Sequence, residues 1–353
     1  SSAASDVYKR QVYIILALTF GYTMIVAESA LGRMTRKSPV GAFRSFAKGK
    51  KVGWLSFGGW INAIIPVLIV PYYSVIGGWV VKYLFEYIRG NGSKLAEDGY
   101  FSGFISNGGA TEICFVIFCM FTLVIIYAGV QNGIERVSKI MMPILVVLSV
   151  IIAIYSVTRP GAIEGVKYFL VPNVKNFSWM TVVAAMGQMF YSLSIAMGIL
   201  VTFGSYMRKD TSIEDSTRNV EIFDTAIAMM AGLMIIPAVF AFSGGDPDTL
   251  QAGPSLMFIT IPNIFKQMPF GRVFAVIFFL SVCFAGITSL INMFEAVIES
   301  WQHKFRLKRN HAVLLCGGIT LLVGLFLEEE ARVGTWMDFI TIIVVPFGAV
   351  LGA

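Results

Sequence analysis

The stretch Gly187-Gln-Met-Phe-Tyr-Ser-Leu-Ser-Ile-Ala-Met-Gly198 lies within a long apolar segment. A helix crossing a bilayer could run through it. Yet it places two hydroxyls, Ser192 and Ser194, and three small residues, Gly187, Ala196 and Gly198, where the hydrocarbon is driest. Gly187-Gln188 and Ser192-Leu193-Ser194 bracket a weak point for a helix. Either the stretch is a helix–helix contact lined by small residues, or the helix breaks here and its freed main-chain groups hold a ligand.

The rest of the chain supplies the bilayer. Of 353 residues, 56% are hydrophobic and 14% charged, with mean hydropathy +0.75. About nine apolar spans are long enough to cross about 30 Å of hydrocarbon. They cover residues 12–32, 53–87, 112–130, 134–157, 178–207, 218–243, 270–302, 311–327 and 335–353. Short alternating strands are absent, so the expected fold class is an all-α polytopic membrane protein and not a β-barrel. The loop 33–51 carries Arg33, Arg36, Lys37, Arg44, Lys48, Lys50 and Lys51 without an acid, which assigns it to the cytoplasm. The turn 131–139 and the loop 303–311 are also basic, whereas 244–269 and 328–338 lean acidic. Basic and non-basic loops alternate, so the chain is expected to start outside and end inside. The net charge of +6 follows from this topology and does not indicate nucleic acid.

Both ends read as cut. At least one helix is expected before residue 12 and more after 353, and residues 1–11 (SSAASDVYKRQ) are expected to lie outside the native protein. Cys114, Cys119, Cys283 and Cys316 sit singly in apolar surroundings and read as small buried hydrophobes. No P-loop, H-E-x-x-H or G-x-S-x-G occurs, which disfavours an enzyme. His303 and His311 lie in a basic loop and read as solvated.

Polar groups at membrane depth are functional candidates. Ala285, Thr288 and Ser289 share one helix face and offer a carbonyl and two hydroxyls to a hard cation, or else a small-residue packing surface. Pro71 loosens the helix before Tyr72 and Tyr73, whose phenols could meet a ligand or only pack. Asp224, Glu28 and Glu295 need a cation, a proton or a hydroxyl, unless they are solvated at helix ends. Gly133 and Pro143 enclose a segment that could unwind or simply cap a helix.

These stretches resemble, in order, the helices of the neurotransmitter:sodium symporter family, whose structural type is the bacterial leucine transporter. "ESALGR" is similar to the end of its second helix and "VPYYSVIGGW" to its third. "GIERVSKIMMP" is similar to its fifth helix, and "GQMFYSLSIAMG" followed by "SYMRKD" to its sixth. "CFAGITSLINMFEA" and "TWMDFI" are similar to its eighth and tenth. The resemblance implies a leucine-transporter-type inverted-repeat fold over residues 12–353. Residues 12–157 would form a partial first repeat and 178–353 the second. The family's broken first helix would be missing, so this chain alone is expected not to transport.

The resemblance also implies residue roles. Tyr73 would hold the substrate carboxylate. Tyr191, Ser194, Met197, Ile69 and Met293 would line the side-chain pocket, with Tyr191 as its lid. Ser192 would ligate a first sodium, and Ala285, Thr288 and Ser289 a second. Asp338 would be the acidic half of an outer gate, with Gln188 beside it. Tyr206 would belong to the inner gate, and Gly133–Pro143 would be the segment that unwinds to admit water. Two departures stand out. His303 replaces an aspartate of the inner gate, and Asp224 is the ionisable group where a sodium-binding asparagine is expected. Asp224 is therefore assigned to charge balance, with chloride not required.

The expected function is sodium-coupled symport of a hydrophobic amino acid across a bacterial plasma (inner) membrane. The partners are that small molecule and the lipid bilayer, with no nucleic acid and an undetermined oligomeric state. The alternatives are another sodium- or proton-coupled carrier of the same fold, or a non-transporting sensor or channel subunit.

Overall fold

The computed structural model describes residues 12–46, 55–128, 131–171, 179–242, 255–327 and 329–352. Residues 1–11 lie outside them. The described residues form helices joined by turns and contain no strand. Among the described residues, eight uninterrupted helices are long and apolar enough to cross a membrane. They include α1 (Val12–Thr35), with a π-helical turn at Ala17–Gly21. A short α2 (Pro39–Phe46) follows, then the long α3 (Leu55–Arg89). After two short helices, Gly92–Leu95 and Tyr100–Ile105, come α4 (Gly108–Ala128), α5 (Gln131–Val157) and α6 (Ala162–Leu170).

The ninth span is the one that breaks. It comprises α7 (Trp179–Ser192) and α8 (Ile199–Tyr206), of 14 and 8 residues. At 1.5 Å per residue these are about 21 and 12 Å long, so neither crosses about 30 Å alone. Together with the six residues between them they do. The remaining helices are α9 (Ile213–Phe242), α10 (Ser255–Gln267), α11 (Gly271–Phe305), α12 (Arg309–Phe326) and α13 (Glu330–Asp338). A π-helical stretch, Phe339–Val344, leads into α14 (Val345–Gly352).

Three local expectations differ. The basic loop 33–51 contains a helix, α2, whose Pro39 stands at its start, where a missing N–H removes no bond. Proline does not interrupt α3, which runs through both Pro66 and Pro71. The helix α5 likewise continues from Gln131 through Gly133 and Pro143. A proline removes one intrahelical bond, and the packing of a long membrane helix retains the rest.

The centre of the bundle is α3. It packs against α2, α4, α11, α12 and α14. Ile65, Ile69, Val75, Trp79 and Tyr83 are fully buried along it. By contrast, Ile113, Ile117, Phe121 and Val124 recur on one exposed face of α4, the pattern of a helix facing lipid. Between α1 and α8 the contact is backbone to backbone. A Cβ on Gly204 would lie 2.4 Å from the Ser29 carbonyl oxygen, and one on Gly32 would lie 2.0 Å from that of Val201. Only glycine permits this approach, so α1 and α8 form one stiff unit.

Candidate substrate and sodium site

The helix stops after Ser192, and residues 193–198 turn without helical repeat before α8 begins. Gly187 and Gln188, read as one edge of the weak point, remain helical inside α7. Ser194, Ala196 and Gly198 have φ of 57°, 62° and 68°. Alternating left-handed residues turn successive N–H groups away from the helical pattern. For Ser and Ala this conformation costs on the order of 1 kcal/mol or more each, so surrounding contacts must impose it.

Two of those contacts are visible. The Ala196 N–H donates to Glu28 Oε1 of α1 at 2.8 Å. The Gly198 N–H donates to Asn62 Oδ1 of α3 at 3.3 Å. A carboxylate and an amide from neighbouring helices thus replace the carbonyls that a continuous helix would have supplied. Glu28 Oε2 is buried and has no hydrogen-bond partner among the described residues. An orphaned carboxylate oxygen beside buried, non-helical peptide groups makes this a polar site in an apolar bundle.

At the end of α7, Ser192 donates to Asp224 Oδ1 at 2.7 Å, and the Tyr13 phenol donates to Asp224 Oδ2 at 2.5 Å. Three spans, α1, α7 and α9, therefore meet on one half-buried carboxylate. This joins the predicted Ser192 and Asp224. Tyr13 and Asn62 were not among the sequence candidates. Asn62, a lone amide with both apolar neighbours and 2% exposure, carried a readable signal. Tyr13 had none that separates it from an interfacial tyrosine.

On α11 the Thr288 hydroxyl donates to the carbonyls of Ala285 and Phe284, at 2.9 and 3.1 Å. Ala285 and Thr288 therefore present their oxygens together. Ser289 follows, and its hydroxyl lies beside the Tyr73 phenol of α3. Tyr72 in turn adjoins Tyr191. Ile69, Met197 and Met293 are buried in the same apolar cluster, against which Tyr73 and Tyr191 pack. Ser194, in the break, is half-buried.

The gate candidates occupy opposite ends. Asp338 closes α13 and is exposed, as is Gln188. The π-helical stretch after Asp338 packs on α7, which carries Gln188. At the basic end Tyr206 lies next to Glu299, near Glu295 and Arg309. Arg309 grips both oxygens of Glu295, one of them at 3.0 Å. The side chain of His303 lies outside the described residues. No group of three or more His, Cys, Asp or Glu residues suited to a metal occurs among the described residues, whose four cysteines are unpaired.

A family model described as the sodium:neurotransmitter symporter family matches residues 100–345. The uncharacterized sodium-dependent transporter YhdH of Bacillus subtilis is 33% identical over 89% of this chain and 69% of its own length. An uncharacterized sodium-dependent transporter of Haemophilus influenzae is 32% identical over 88% of this chain and 70% of its own. The crystal structure of MhsT in complex with L-phenylalanine superposes with a TM-score of 0.88 at 31% identity, covering 99% of this chain and 83% of that one.

Proposed function

The chain belongs to the sodium:neurotransmitter symporter family, and from that premise we propose that it carries a hydrophobic α-amino acid, coupled to sodium and without a need for chloride. Sodium-coupled transport, the leucine-transporter-type helical fold and a multi-pass membrane location come with the family. An enzymatic activity does not.

The observation that carries the proposal is the break at 193–198, with the Ala196 and Gly198 N–H groups held by Glu28 and Asn62. Main-chain groups released at that depth cannot be satisfied by lipid. In this reading those two N–H groups are held by the protein, and the carbonyls of the break are offered to a cation and to the ammonium group of a zwitterion. In this reading the Ala285 carbonyl and the Thr288 and Ser289 hydroxyls supply hard oxygen ligands to one sodium. Ser192 and Asp224 face the other, and the Asp224 charge takes the place that an anion would fill. Tyr73, beside Ser289, holds the substrate carboxylate. A carboxylate there touches both the sodium ligands and the phenol, so ion and substrate raise each other's affinity reciprocally.

Ile69, Tyr191, Met197 and Met293 leave an apolar pocket, and methionine adapts to side chains of different shape. Ser194 offers one polar contact. Phenylalanine in MhsT supports the same substrate class. Gln188 and Asp338 would close the outer end. Tyr206 with Glu299, and the Gly133–Pro143 segment, would close the inner end, the latter being helical in the conformation described. A bacterial plasma membrane is the proposed location.

The test is uptake of labelled phenylalanine and leucine by cells expressing the gene, with sodium or choline outside. Sodium-stimulated uptake that unlabelled tyrosine and tryptophan inhibit, and that arginine and glutamate do not, is expected. Uptake indifferent to sodium, or inhibited best by charged amino acids, overturns the proposal.

A further inference from the structure

A groove of about 630 Å³ opens at the basic end of α1, away from the site described above. Its wall is apolar, made by Ala27, Ala30, Leu31 and Met34 of α1, and its rim is cationic, made by Arg33, Arg36 and Lys209. Among the described residues no carboxylate lines it. Positions 27, 30, 31 and 34 fall on one helix face, where two alanines leave the surface recessed. Met34 at its edge is 68% exposed.

The arginines are fixed but not neutralised. Arg33 Nη1 donates to the Thr211 carbonyl at 2.7 Å, and Arg36 Nη1 donates to the Ser205 carbonyl at 3.0 Å. Both acceptors are uncharged, and each guanidinium has further N–H donors. The nearest acid in sequence, Asp210, pairs with Arg208 at 3.2 Å. Two arginines bonded to neutral carbonyls, with Lys209 beside them, above an apolar wall repeat the order of a bilayer leaflet, headgroup over acyl chain. The same basic loop belongs to the cytoplasmic side by its charge.

We propose that this groove binds an anionic glycerophospholipid, its phosphate held by Arg33, Arg36 and Lys209 and its upper acyl chain laid along Ala27, Ala30, Leu31 and Met34. Guanidinium groups suit the phosphate because they offer two parallel donors. The occupied groove ties α1 to the end of α8 and to the turn before α9. Because α1 and α8 carry Glu28 and follow the break at 193–198, bound lipid stiffens the unit that shapes the transport site. The inference does not depend on which substrate is carried.

The full chain, purified and exchanged into equal phosphatidylglycerol and phosphatidylethanolamine, is examined by native mass spectrometry for retained lipid. Phosphatidylglycerol is expected to be retained at least about tenfold over phosphatidylethanolamine, given three cations at the surface. The triple variant Arg33→Gln, Arg36→Gln, Lys209→Gln should lose that preference. A control triple variant on the same end, Arg44→Gln, Lys304→Gln, Arg306→Gln, should keep it. Ala30→Phe fills the groove with every charge in place and should also lose it, which serves if the first variant does not fold. Inorganic phosphate should fail to displace the lipid. Equal retention of both lipids, equal loss in the two triple variants, full retention in Ala30→Phe, or displacement by phosphate alone each overturns the proposal.

Discussion

Replacing Asp224 by asparagine changes one atom in the shared carboxylate and removes its charge. Asp224 gives one oxygen to Tyr13 at 2.5 Å and the other to Ser192 at 2.7 Å. Asparagine offers a single oxygen, so one of the two hydroxyls faces an NH₂ group instead. That hydroxyl must rotate to accept, and its own proton loses its acceptor. A hydrogen bond to a charged group contributes about 1.5–3 kcal/mol. Where that bond holds Ser192 in place on the bound sodium, at about 1.4 kcal/mol per tenfold, apparent sodium affinity should fall about 10- to 150-fold. If the charge of Asp224 stands in for an anion, the variant should also gain a chloride requirement. The assay is the sodium activation curve of phenylalanine uptake, in chloride and in gluconate. Ser192→Ala is the control, since it weakens sodium while keeping the charge, and it should remain indifferent to chloride. Asp224→Asn running at wild-type sodium affinity in gluconate would refute the reasoning.

Two further outcomes follow from the packing. Glu28→Ala leaves the Ala196 N–H without its acceptor, at a cost of about 1–3 kcal/mol; thermal unfolding in detergent should shift down by several degrees, with Glu28→Gln recovering most of it. Gly204→Ala drives a Cβ to 2.4 Å from the Ser29 carbonyl oxygen and should destabilise by about 1–3 kcal/mol. Gly103→Ala, whose Cβ would meet nothing within 4 Å, should be close to neutral in the same assay.

The spans were legible because hydrocarbon demands long apolar runs, and charge patterning placed their ends near the observed ones. The break was legible in kind, since hydroxyls and small residues cluster at 192–198, but not in extent. Gly187 and Gln188 are good enough for a helix when α7 packs against the π-helical stretch. Pro71 misled in the other direction, because propensity is a local quantity and packing overrode it. Ser192 and Asp224 could be named separately, whereas their bond joins positions 32 apart and depends on how α7 and α9 cross. Tyr13 was missed for the same reason, since it acquires meaning only from a partner on another helix, whereas Asn62, an amide between Ile61 and Ala63, was open to being named from its apolar surroundings. The helix α2 was hidden by its charge, which reads as loop when topology explains it.

Hydrogen exchange of the amides at 193–198 tests the central claim most directly, because it reports the broken main chain itself. Sodium together with phenylalanine should slow exchange across this segment by tenfold or more, while the flanking turns of α7 and α8 change little and potassium has no effect. Exchange at 193–198 that is as slow as in α7 before any addition, or that sodium and phenylalanine leave unaltered, would contradict it.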